Sequence, residues 1–156
     1  MHPNAELLNR LYTCLAHKDA DGMAACYDPD ATFHDIAFDL KGRDRIRAMW
    51  GLVHHAQGFK AAFKVIDADD EKGTAELVDQ YVFGGTGRHV RNVIHSEFTF
   101  RNGLITGHRD TCDAFSWGVQ ALGPVKGALT YLVPALRRRT ARKKLDSFIR
   151  KHPAQA

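Results

Sequence analysis

The 156 residues suffice for one domain, which at this length buries about two thirds of the surface its unfolded chain exposes. Apolar and charged fractions of 44% and 26% exclude a disordered or fibrous chain. The net charge of +4 is concentrated in residues 137–151, where eight basic side chains and one acidic one give +7 and leave −3 elsewhere, so no nucleic-acid binding is expected of the body.

The N-terminus, MHPNAELLNRLY, lacks the basic start and continuous apolar run of a secretory signal, and a cytoplasmic location is expected. Ala5, Leu8, Leu11, Tyr12 and Leu15 recur at helical spacing, and Asp19-Ala-Asp-Gly leads into a short second helix carrying Met23 and Tyr27. Asp28-Pro-Asp reads as a turn and ATFHDI as a short strand. Lys41-Gly42 breaks the chain before a lid helix from about Asp44 to His55, whose inner face holds Ile46, Met49, Trp50 and Val53. From Phe59 the apolar period becomes two, over FKAAFKVIDAD, TAELVDQYVF, HVRNVIHSEFTF and LITGHRDTC, separated by Gly-bearing turns. Connections this short require antiparallel neighbours.

The expected fold is therefore α+β over residues 1–113: a cone-shaped, curved, mainly antiparallel sheet with N-terminal helices on its concave face. Residues 114–156 form a C-terminal helical extension packed on or beside it. Its first half, FSWGVQALGPVKGALTYLVPAL, is apolar but broken by Lys126, two prolines and several glycines, which argues against a membrane span. Its second half sets Leu145, Phe148 and Ile149 on one side of a basic helix. Such a segment docks on its own domain, folds across a pocket mouth, or makes weak contact with an anionic membrane surface. Cys14, Cys26 and Cys112 are odd in number and lack metal-binding spacing, so reduced thiols and no metal are expected.

Alternation then assigns faces. Asp79 shares one with Ala75, Leu77, Tyr81 and Phe83, while Asn92 and Ser96 share one with Val90, Ile94, Phe98 and Phe100. Leu104, Thr106, His108, Asp110 and Cys112 form the last set. An inward carboxylate is costly unless it is paired or used, so Asp79 and Asp110 mark a site.

The order of DADGMAACYDPDATFHD, LKGRDRIRAMW and FTFRNGLITGHRDTCD resembles the nuclear transport factor 2-like superfamily over roughly Leu7 to Asp113, specifically its SnoaL-like enzymes, limonene epoxide hydrolases and ketosteroid isomerases. The ketosteroid isomerase resemblance places the aspartate base on Asp35 and the two oxyanion donors on Leu11 and Ser96, with Tyr12 one position off, so steroid isomerisation is not implied. The epoxide hydrolase resemblance places the two acids on Asp79 and Asp110. It puts Leu77 where that family has an arginine, and Phe33 and Asp35 where it has a tyrosine and an asparagine.

These residues suggest a pocket for an apolar small molecule, holding Asp35, Asp79, Asp110 and His108 as the catalytic set. Its expected lining is Tyr12, Phe33, Met49, Trp50, Val53, Leu77, Tyr81, Asn92, Ile94, Ser96 and Cys112. Three nearby acids cannot all stay ionised in a low dielectric, so an acid and a base coexist near neutral pH. Asp35 or Asp79 then serves as base, Asp110 as acid and His108 as an orienting or protonating group, in a cofactor-free isomerase, cyclase or hydrolase. A non-catalytic ligand-binding or dimeric interaction module of the same fold is the alternative. In it Asp110 and Asp79 hold the cone closed, His108 is a satisfied core histidine and Asp35 lies at a solvated rim. His54 and His55 complement a helix C-terminus rather than bind metal. The superfamily's outer sheet face, here Arg91, Val93 and His95, implies a homodimer.

Overall fold

The computed structural model describes residues 1–153. Helix α1 (Pro3–Ala16) starts where the His2 ring accepts from the Asn4 amide and Pro3 presets the first turn. It buries Leu8, Leu11, Tyr12 and Leu15. Asp19 caps α2 (Ala20–Ala24) by accepting from the Gly22 amide at 2.8 Å. Strands β1 (Tyr27–His34) and β2 (Asp39–Lys41) follow, and Gly42, with φ +98°, turns the chain into α3 (Arg43–His54). The meander is β3 (Gln57–Ala68), β4 (Lys72–Phe83), β5 (Arg88–Arg101) and β6 (Leu104–Thr111).

These six strands form one sheet in the order β2-β1-β6-β5-β4-β3. All neighbours are antiparallel except β1 and β6, whose parallel pairing is reached through α3 and the intervening strands. Helix α1 packs on β3 and β4, and α3 on β1 and β2, so both cover the concave face. β5 shows the alternation most fully: Val90, Asn92, Ile94, Ser96, Phe98 and Phe100 are buried and the residues between them are exposed.

Three local expectations change. Tyr27, expected on the second helix, opens β1 instead. Asp28-Pro-Asp lies inside β1 as an irregularity between Tyr27 and Thr32, because Pro29 has no N–H to give the ladder. In β6 the register passes from Thr99 opposite Gly107 to Phe100 opposite Ile105, leaving Thr106 as an extra residue. Ile105, rather than Leu104 or Thr106, therefore fills the core beyond that bulge, and the Thr106 hydroxyl meets Thr99 at 3.0 Å.

After β6, Asp113 caps α4 (Ala114–Leu122) by accepting from the Ser116 amide. Helix α5 (Pro124–Leu132) crosses α4 where Gly118 and Gly127 bring the two backbones together. The β5 segment that extends beyond β6 is covered by α4, with the Arg91 amide donating to Gln120 Oε1 at 2.8 Å. Helix α6 (Pro134–Lys151) returns over α3 and buries Leu145 and Phe148. Its Arg138 donates to the Asp35 carbonyl at 3.0 Å, and Arg137 donates to that of Ile36. Among the described residues no helix is long and apolar enough to cross a membrane.

Candidate functional site

β4 and β6 stand on either side of β5, and each turns an aspartate inward. Asp79 faces Asn92 across one ladder and Asp110 faces Ser96 across the other. Both acids line a cavity of about 660 Å³, together with Asp35, Asn92, Ile94, Tyr81, Cys112 and Val53. That volume suits a small organic molecule, and most of the wall is apolar.

The remaining expected residues do not reach this space. Tyr12, Phe33, Met49, Trp50, Leu77, Ser96 and His108 are each at most 3% exposed and lie outside the cavity lining, a correction to the lining expected from alternation. The reason is packing: Tyr12 stacks on Phe63, and Phe33, Trp50 and Phe98 close around the His108 ring. Alternation separates core from solvent but not core from cavity.

The polar residues among these buried ones, joined by Tyr27, hold Asp110. Trp50 Nε1–H donates to the Tyr27 hydroxyl at 3.1 Å, and that hydroxyl lies 2.8 Å from His108 Nδ1. His108 Nε2 lies 2.7 Å from Asp110 Oδ1. On the other side, Tyr12 donates to Ser96 Oγ at 2.7 Å, and Ser96 donates to the same Asp110 oxygen at 2.6 Å. Every polar group in this network is satisfied when Tyr27 donates to Nδ1 and Nε2–H donates to Asp110. Burial holds the Tyr12 and Tyr27 phenols well above their usual range, so both remain donors. Two donors on Oδ1 thus orient a carboxylate whose other oxygen carries no such constraint. His108, engaged at both nitrogens and outside the cavity lining, positions Asp110.

Asp79 has the opposite surroundings. Its Oδ1 is buried without a hydrogen-bond partner. Burial pushes its carboxyl up to about 7, Asn92 pulls against the shift, and the charges of Asp110 and Asp35 add to it. Asp35 is half-buried just after β1, where its Oδ1 accepts from the Ala37 and Phe38 amides at 2.7 and 2.6 Å. Burial raises it to about 6 against those two bonds. It therefore shapes the loop carrying Ile36, Ala37 and Phe38, which also line the cavity. Cys112 is pushed up to about 12, by burial first and then by the three aspartates, so its thiol stays protonated.

About a third of the cavity lining comes from the C-terminal extension, none of whose residues belongs to the expected lining. Trp117, Leu122, Thr130, Leu136, Arg137, Thr140, Ala141 and Lys144 bring the extension into the cavity wall. Trp117 Nε1–H donates to the Tyr81 hydroxyl at 2.7 Å, and the Lys144 ammonium lies 4.1 Å from the centre of the Phe83 ring. The apolar start of the extension was the only sequence signal for this cover. His54 is buried with neither ring nitrogen partnered, and burial lowers its proton affinity. Among the described residues no cluster of three or more His, Cys, Asp or Glu side chains is arranged to hold a metal ion.

Residues 8–108 match the family model described as the SnoaL-like domain. None of the curated proteins compared with the chain is significantly similar to it. Among solved structures, the protein Bal32a from a soil-derived mobile gene cassette is 26% identical, with a TM-score of 0.68 over 76% of this chain and 96% of that one. An epoxide hydrolase of limonene-epoxide-hydrolase type from M. tuberculosis is 19% identical, with a TM-score of 0.62 over 85% of this chain and 96% of that one. A candidate polyketide cyclase from Silicibacter sp. is 20% identical, with a TM-score of 0.66 over 75% and 93%. At these last two identities the likeness is one of fold.

Proposed function

This chain belongs to the SnoaL-like domain family, and on that premise we propose that it is a cofactor-free acid/base enzyme acting on an apolar small molecule. The observation that supports this most is the pairing, in one apolar cavity, of an oriented Asp110 carboxylate with a buried Asp79 whose Oδ1 has no partner. Asp110 is the base and Asp79 the acid, the reverse of the order suggested by sequence, because Ser96 and His108 hold one oxygen of Asp110 and leave the other free, whereas burial raises the Asp79 carboxyl.

Two reactions suit that pair. In water addition to an epoxide, Asp110 takes a proton from water as its oxygen attacks carbon, and Asp79 gives its proton to the opening ring oxygen. In aldol-type ring closure, Asp110 removes a proton from carbon and Asp79 protonates the acceptor carbonyl oxygen. Proton exchange with solvent resets both acids. Leu77, in the place of the epoxide hydrolases' arginine, favours a second reading in which the cavity binds a ligand without turning it over. A homodimer through Arg91, Val93 and His95 belongs to both readings, and Val93 is 57% exposed.

The test is a screen of epoxides, enolisable ketones and polyketide-like diketones by mass spectrometry, including proton exchange in deuterated water. Turnover lost in Asp79→Asn and in Asp110→Asn supports the proposal. Ligand binding without turnover or exchange by the wild type supports the binding reading instead.

A further inference from the structure

Of the ten large hydrophobic residues exposed among the described residues, seven lie between Phe115 and Leu136. Val125, Leu129 and Leu132 are 83%, 53% and 74% exposed and recur at helical spacing on the outer side of α5. The opposite side of the same helix is committed, with Gly127 against Gly118 and Thr130 in the cavity wall. Between Ala114 and Leu136 the sole charged residue is Lys126, whereas the exposed side of α6 immediately afterwards presents Arg139, Arg142 and Lys143. None of these three forms an ion pair within the described residues.

We propose that the α5 face and the basic side of α6 together form a docking surface for an anionic lipid bilayer. An apolar patch of this kind on a single chain marks a contact surface. Its basic border selects the occupant, because anionic headgroups complement Lys126, Arg139, Arg142 and Lys143, whereas a second copy would bring a matching set of cations against them. Since no described helix is fit to span a bilayer, the attachment is interfacial. The hairpin that docks also supplies Leu122 and Thr130 to the cavity, so docking sets the cavity wall beside the hydrocarbon from which an apolar ligand partitions.

The experiment is co-sedimentation of the full chain with vesicles of phosphatidylglycerol and phosphatidylcholine, and with vesicles of phosphatidylcholine alone. Binding to the anionic vesicles is expected, falling about a hundredfold in the triple variant Arg139→Gln, Arg142→Gln, Lys143→Gln, at about fivefold per charge. Leu129→Ser with Leu132→Ser abolishes binding while circular dichroism shows the fold retained. Absence of binding to anionic vesicles at low salt overturns the proposal. So does binding that survives the two serines, which would be charge attraction alone, or a dimer in ultracentrifugation that the serines dissociate, which would give the patch to a second copy. None of these readouts depends on catalysis, so the proposed chemistry stands or falls separately.

Discussion

Asp79 and Asp110 carry identical side chains into one cavity with different neighbours: two hydrogen-bond donors hold one oxygen of Asp110, whereas Asp79 Oδ1 is buried without a partner. Because the Asp79 carboxyl is raised from 3.8 to about 7, the folded chain holds more proton than the unfolded one between those values, and stability falls as pH rises through that window. Asp79→Asn is therefore expected to stabilise the fold at pH 8 by up to about 4 kcal/mol and to flatten the thermal melting profile between pH 4 and 7, while abolishing turnover. An unchanged melting profile would show that Asp79 is not the group withheld from water. Ser96→Ala removes one donor from Asp110 and strands the Tyr12 hydroxyl, at a cost of about 1–3 kcal/mol in chemical denaturation. Both aspartates were legible in the sequence, since a period of two leaves no ambiguity about which face a residue takes. The part His108 plays was not: alternation points it inward, but only the Tyr27 and Asp110 contacts reveal that both nitrogens are engaged.

Helices α4 and α5 meet through two glycines, so a Cβ at Gly127 would run into the Gly118 carbonyl group. Alanine in place of glycine within an exposed helix gains about 1 kcal/mol of helix propensity. Here the sign is expected to reverse, with Gly127→Ala lowering the melting temperature and weakening binding of a fluorescent apolar probe as the hairpin shifts Leu122 and Thr130. A stabilised Gly127→Ala would mean that the hairpin does not hold this close approach. The four meander strands could be read from their alternation and turns, and their faces followed. The exceptions were Pro29 and Thr106, where one residue breaks the pairing and the pattern shifts by a place. The direction of Arg137 could not be read at all, because three helices joined at prolines set it by tertiary packing rather than by period.

At the scale of the whole molecule, the extension and the cone share one core, with Leu145 of α6 fully buried in the same cluster as Leu8, Trp50 and Phe98. Leu145→Ala is expected to cost about 2–5 kcal/mol and to lower a single unfolding transition seen alike by circular dichroism and tryptophan fluorescence. Two separate transitions, with the higher one unaffected, would mean that the extension folds apart from the cone. The cavity is likewise a property of the whole chain: β4 and β6 supply Asp79 and Asp110, the loop after β1 supplies Asp35, and α4 to α6 supply the cover. The measurement that tests this arrangement most directly is a carbon-13 NMR titration of the aspartate side-chain carboxyls in the wild type and in Asp110→Asn. Asp79 is expected to titrate near 7 and to move downward when the Asp110 charge is removed. Titration of Asp79 near the ordinary value of about 3.9 in both proteins would contradict the acid/base pairing.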